Sequence, residues 1–138
     1  MVVWTAEFTD QFRAWFEGLS EEEKASIRAS VRVLRERGPA LGRPLVDRVE
    51  GSAYHNMKEL RPVATNIRIL FAFDPRRTAF LLLGGDKTGL WNRWYDDNIP
   101  IADALYAEHL HSLEAEAKKA EEIKGAMGKR DAKKGRKR

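Results

Sequence analysis

An α+β domain is the fold class this sequence predicts, and three observations carry it. Residues 8–38 hold two stretches with helical spacing, residues 56–85 hold three short β-patterned runs, and residues 99–113 return to helical spacing. A length of 138 residues with 43% hydrophobic content suits one compact domain around a single core.

The elements follow in order. Val2-Val3-Trp4 is branched and aromatic and predicts a first strand. Phe8, Phe12, Trp15 or Phe16, and Leu19 then recur at helical spacing, with Gly18 marking the exit. Ser20 and Glu23 form a capping box, and Ile27, Val31 and Leu34 line one face of a second helix that Gly38-Pro39 stops. The two helices are expected to pack as an antiparallel pair. A Gly- and Pro-rich loop follows, with a short extended piece around Leu45 to Val49.

Three strands come next: NMKELRP, closed by Pro62; NIRILFAF, in which Ile67, Ile69, Phe71 and Phe73 alternate with Arg68, Leu70 and Ala72; and TAFLLLGG. Asp74-Pro75-Arg76-Arg77 fits a tight turn, so the last two runs predict a hairpin. LWNRWYDDN reads as a connecting segment, and Ile99-Pro100 opens a final helix with the apolar stripe Ile101, Leu105, His109 and Leu113. The domain is expected to span residues 1–117. The remainder, 118–138, is low in complexity and is expected to be a disordered basic tail.

Several chemistries are excluded. The chain has no cysteine, hence no disulfide, thiolate zinc site or cysteine nucleophile. No run approaches the ~18 apolar residues of a membrane span, and the N-terminus lacks a basic region followed by a long apolar stretch. A soluble cytoplasmic protein with no membrane association is the expectation. The net charge of +4 conceals segments of opposite sign: residues 118–138 carry ten Lys/Arg against three Asp/Glu, leaving fifteen basic against eighteen acidic in the body. Within that body, residues 48–93 carry eight basic and four acidic side chains, a locally positive middle.

The polar residues that interrupt the strands are Lys58, Glu59, Arg61, Arg68 and Lys87. Lys58 and Arg61 are an odd number of residues apart, so a regular strand points them to opposite faces. Arg68 lies opposite the Ile67, Ile69, Phe71, Phe73 face. Gly84-Gly85 permits a backbone bend that would aim the Lys87 ammonium sideways. Glu59 reads as a structural partner for one of the arginines. His55, beside Tyr54 and Asn56, is a candidate for acid or base work, while His109 and His111 face apart on a helix and form no metal set. Neither GxGxxG nor a Walker-type loop is present, so neither a cofactor nor a metal is expected.

The phrases MKELRP, NIRILFAFDP, LLLGGDKTGLWNRWY and IPIADALYAEHL together resemble the RelE/HigB-like toxins of bacterial toxin–antitoxin systems, in the subgroup related to phage-derived Gp49-like proteins. The resemblance runs over roughly residues 2–113 and rests on the order and spacing of the phrases in combination. It implies a small RelE-like fold, two N-terminal helices packed on a mostly antiparallel twisted sheet, with a C-terminal helix here followed by the basic tail. It also implies an endoribonuclease that cuts mRNA, often on the ribosome, and is neutralised by a cognate antitoxin, expected here to be a helix-turn-helix protein. The implied chemistry needs no metal: a ribose 2′-hydroxyl attacks the neighbouring phosphate.

On that resemblance Arg61 and Arg68 stabilise phosphorane charge, Lys87 serves the phosphate or the acid step, and Tyr95 stacks or transfers a proton. Lys58, His55, Trp91, Arg93 and Trp94 are the expected substrate-binding set. Better-known toxins carry a histidine where this chain has Gly85, Asp86 and Lys87, so the resemblance names no general base. Two other readings share the sequence: a ParE-like gyrase inhibitor without nuclease activity, and a non-catalytic nucleic-acid-binding regulator that uses the tail. The basic set at 61, 68 and 87 favours the nuclease.

Overall fold

Five strands, β1 (Thr5–Phe8), β2 (Val46–Arg48), β3 (Lys58–Leu60), β4 (Ile67–Phe73) and β5 (Thr78–Asp86), form one sheet in the order β1-β5-β4-β3-β2. β1 runs parallel to β5 and every other pair is antiparallel. The helices are α1 (Asp10–Glu17), α2 (Glu21–Arg37) and α3 (Asn92–Arg136). This computed structural model describes the backbone of residues 4–136 and side chains over 4–128. The chain divides into two compact units, Met1–Tyr106 and Ala107–Arg138.

Local chemistry sets the helix starts. The Thr9 hydroxyl accepts from the Phe12 amide at 3.0 Å, capping α1, and donates to the Leu82 carbonyl at 2.6 Å, which ties that cap to β5. Ser20 and Glu23 make both bonds of the expected capping box. The hairpin turn closes through the Arg77 amide to the Asp74 carbonyl at 3.0 Å. Arg76 then bridges Asp74 and Glu7 at 2.7 and 2.8 Å, joining the turn to β1.

Alternation along β4 divides the core. Ile67, Ile69 and Phe71 join Phe12, Ile27 and Leu34 in one cluster with α1 and α2. On the other face Leu70 and Ala72 are fully buried, as is Ala102 of α3, and the Tyr106 hydroxyl reaches the Phe73 carbonyl at 3.4 Å. A register shift after Leu70 leaves Leu82 as the extra residue of β5, between partners Leu81 and Leu83.

The glycine pair has a different use from the expected bend. Gly84 and Gly85 lie within β5, and a Cβ on Gly84 would occupy the indole of Trp15, while one on Gly85 would meet the indole of Trp94. The two tryptophans therefore close on β5 from opposite faces, through space that only glycine leaves open.

Three further expectations are corrected. Val2 and Val3 lie outside the described residues, and the first described strand is Thr5–Phe8. The segment read as a connection before Ile99 is helical from Asn92, so Pro100 sits inside α3 rather than opening it. Pro100 cannot donate to the turn before it, but the Asn98 amide donates to the Trp94 carbonyl at 2.8 Å nearby. The segment expected to be disordered from residue 118 is helical to Arg136, consistent with the strong helix formers Ala, Glu and Lys that dominate it. From Glu114 to Gly128 every side chain of that unit is exposed, so no burial supports this stretch.

Replacing Gly84 with valine should cost about 1–3 kcal/mol through forced displacement of Trp15. Urea denaturation followed by tryptophan fluorescence measures it, and a variant as stable as the parent would contradict the close approach.

Candidate active site

The ends of β3 and β5 and the start of β4 meet at one end of the sheet. Lys87 is fixed there by its backbone: its amide donates to the Asn66 carbonyl at 3.0 Å, just before β4 begins. Asn66 also donates to the Thr88 hydroxyl at 2.9 Å, and the Thr88 amide donates to Asp86 at 2.8 Å. The Leu90 and Trp91 amides both donate to the Lys87 carbonyl at 2.9 Å, and Trp91 takes a φ of 47°, a left-handed turn that launches α3. Trp91 and Tyr95, four apart, then share a helix face. The Lys87 ammonium stands 5.1 Å from the Trp91 ring centroid and 5.8 Å from that of Tyr95.

Glu59 is the buried centre of the cluster, 3% exposed. Its Oε1 accepts from Arg61 Nε at 2.8 Å and Nη2 at 2.7 Å, while Oε2 is buried with no partner. Asp47, the cross-strand neighbour of Glu59, holds Arg61 Nη2 from its other side at 3.4 Å and also pairs with Arg43 at 2.9 Å. Arg61 is thus a shared cation. Arg68 differs: its Nη1 donates to the Ile67 carbonyl at 2.8 Å, its Nε is buried without a partner, and neither it nor Lys87 has an ion pair among the described residues. Arg68 lies opposite Gly85 in the ladder, on the face that Trp94 covers.

These groups feel one another. Burial pushes the Lys87 ammonium below the ordinary lysine value, Arg68 and Arg61 push the same way, and Glu59 opposes them. Burial pushes the Tyr95 phenol up, reinforced by Glu59 and opposed by Arg68. The bond from the Arg43 side chain, followed by the Arg48 amide, holds the Asp47 carboxyl below the usual range. At neutral pH the cluster therefore presents a phenol that keeps its proton, two unpaired cations and one paired guanidinium.

Arg61, Arg68, Lys87 and Tyr95 come together, and Trp91, 56% exposed, offers a ring beside them. The remaining expected contacts are corrected. Lys58 pairs with Phe71 and stands 5.8 Å over the Phe73 ring, which puts it on the helix-covered face, as its odd separation from Arg61 requires. His55 is exposed on a loop whose neighbour Asn56 reaches the Phe73 carbonyl, about 16 Å along β4 from Arg68 at the usual rise per residue. Trp94 is 4% exposed and packs on Gly85, leaving no free stacking surface. Arg93 is exposed and its recorded partner is Asp97 at 3.8 Å, one turn on. Asp47 went unnoticed in the sequence, because its pairing with Arg61 crosses two strands.

An RNase-like arrangement of cations at the end of a small α+β sheet defines the class, and comparison with known proteins agrees. The fold matches an archaeal RelE in its RelB complex from Pyrococcus horikoshii (TM-score 0.52, 12% identity, 63% of this chain and 98% of that one). It also matches the isolated RelE toxin of E. coli (TM-score 0.51, 8% identity, 68% and 97%). The family model "Phage derived protein Gp49-like" matches residues 14–107, and the chain belongs to that family, among the RelE/HigB-like toxins. It is 60% identical over 93 residues to a protein named putative toxin HigB3 of Mycobacterium tuberculosis, covering 67% of this chain and 82% of the relative. Putative toxin HigB2 of the same organism is 50% identical over 116 residues, covering 82% of this chain and 57% of the relative.

Removing Arg61 strands a buried carboxylate. Arg61→Ala should cost about 3–5 kcal/mol, whereas the double change Glu59→Leu with Arg61→Met should recover most of that loss. Denaturation midpoints of the three variants decide it, and an undisturbed Arg61→Ala would remove Glu59 from the centre of the cluster.

Proposed function

We propose that this chain is the toxin of a toxin–antitoxin pair and acts in the cytoplasm as a metal-independent mRNA endoribonuclease, working on translated messages at the ribosome. The observation that carries the reading is the convergence of Arg61, Arg68, Lys87 and Tyr95 on one end of the sheet. In the reaction the ribose 2′-oxygen bonds to the adjacent phosphorus and the bond to the 5′-oxygen breaks, giving a cyclic phosphate and a 5′-hydroxyl. The 2′-hydroxyl gives up a proton and the leaving 5′-oxygen gains one.

Arg68 and Arg61 offset the charge gathering on the phosphorane oxygens, and the guanidinium fork suits two of them at once. Lys87 supplies a proton to the leaving oxygen, a role its lowered pKa favours. Tyr95, kept protonated by burial beside Glu59, donates a hydrogen bond to the scissile group. Trp91 provides a face for a neighbouring base. The antitoxin is a proteinaceous partner, a reading supported by the RelB bound to the archaeal neighbour. The body ending at residue 117 carries the chemistry, and the basic segment after it adds phosphate contacts without reading sequence.

Arg68→Ala and Lys87→Ala should each lower RNA cleavage about 10²–10³-fold and abolish growth arrest when the chain is induced alone, with unchanged circular dichroism. Mapping of RNA 5′ ends after induction reads the activity directly. Intact transcripts alongside supercoiling defects would overturn the nuclease in favour of gyrase. The Lys87 ammonium is the active form, so activity is full below its folded pKa and falls as pH rises through it, earlier than for an ordinary lysine. Lys87→Arg should move that alkaline limb upward, since the guanidinium stays charged. A limb that does not move belongs to another group and removes the acid role from Lys87.

A further inference from the structure

The sheet face that carries α1 and α2 has a feature the cleavage reading does not use. Between β1, α1 and α2 lies a groove of about 840 Å³ whose apolar lining includes Phe8, Phe12, Phe16, Ile27, Val31 and Leu81. Phe8 is 46% exposed on the edge strand, an unusual place for a bare aromatic ring. Four arginines, Arg13, Arg28, Arg32 and Arg35, line the same groove against two carboxylates, Glu17 and Glu36. None of the four has an ion pair among the described residues. Arg13 and Arg28 instead lie over the Phe8 and Phe16 rings at 5.3 and 5.5 Å, and Arg35 donates to the Trp4 carbonyl at 3.3 Å.

We propose that this groove docks an acidic amphipathic helix of a protein partner. Its apolar side chains, spaced i, i+3/i+4 and i+7, enter the trough, and its flanking Asp and Glu residues face the arginines. The apolar concave floor gives the anchors a surface to bury, and the unpaired arginines give the rim a sign. RNA fits this surface poorly, since stacking needs several exposed aromatic faces and Phe8 is the one exposed ring in the lining. The groove lies across the sheet from Arg61, Arg68 and Glu59, so its occupant leaves the cation cluster open.

The test selects from a displayed library of helical peptides with fixed apolar anchors and flanks randomised among Asp, Glu, Lys, Arg and Ser, using the full chain as target. Enriched binders should carry Asp or Glu on both flanks. A chosen binder should lose at least about tenfold in affinity for the Arg28→Glu, Arg32→Glu variant and for Phe8→Ala, while RNA cleavage and thermal melting stay as in the parent. The Phe8 change keeps the test decisive if the charge reversal misfolds. Enrichment of neutral or basic flanks, failure to recover any binder, unchanged binding to Phe8→Ala, or displacement of the peptide by a short RNA would each overturn the proposal. Loss of cleavage in the site variants with peptide binding intact separates this outcome from the fate of the nuclease reading.

Discussion

Two tryptophans cannot approach the same strand from opposite sides unless that strand gives up its side chains where they land. Gly84 and Gly85 do this on β5, one for Trp15 of α1 and the next for Trp94 of α3. The consequence reaches the chemistry through short covalent distances. Trp94 seats the first turn of α3, Tyr95 follows it directly, and Lys87 leaves the same strand two residues past Gly85. Packing on one side of β5 is thereby locked to catalytic geometry on the other. A side chain at either glycine would displace a helix and not merely a ring.

The electrostatics of the cluster follow a similar division. Arg61 is shared by two carboxylates, which hold its fork in place, whereas Arg68 and Lys87 are partly buried cations without a carboxylate of their own. Desolvating an unpaired cation costs stability, and the depressed Lys87 pKa shows that cost directly. A bound phosphate would supply the missing counter-charge, so the folded state is strained toward an anion at this spot. Arg61 would join only by sharing its charge among three acceptors. The geometry thus assigns different work to chemically similar groups: Glu59 and Asp47 orient Arg61, while Arg68 and Lys87 wait for substrate.

Much of this was legible in the residues, for reasons that can be stated. The Ser20–Glu23 box, the Asp74–Arg77 turn and the alternation of β4 are local patterns whose physics is complete within a few residues. Parity alone separated Lys58 from Arg61, and the ladder puts them on opposite faces. What failed required knowledge of a neighbour. Pro100 looked like a helix start because Pro usually is one, but α3 begins eight residues earlier, where Trp94 finds its seat on Gly85. The glycine pair looked like a bend because its two indole neighbours are distant in sequence. His55 has suitable chemistry but stands at the far end of the sheet, a position no spacing rule reveals.

The same layer of β-structure that presents the cations also supports the groove, and the two surfaces are mechanically linked without overlapping. Leu81 lines the groove and lies in the strand whose end delivers Lys87, while Thr9 anchors the cap of α1 on the carbonyl of Leu82. A helix bound between α1, α2 and β1 would therefore rest on rigid elements and leave Arg68 and Lys87 uncovered. Inhibition from there has two physical routes: a second segment of the partner that crosses the sheet edge to the cluster, or bulk that keeps a large RNA-bearing particle from approaching. The β1 edge favours the first route for a short distance, because its exposed Phe8 lies where a chain leaving the groove would pass. The far β2 edge, where Asp47 holds Arg61, lies across the full width of the sheet, so reaching it takes an extended segment rather than a longer helix.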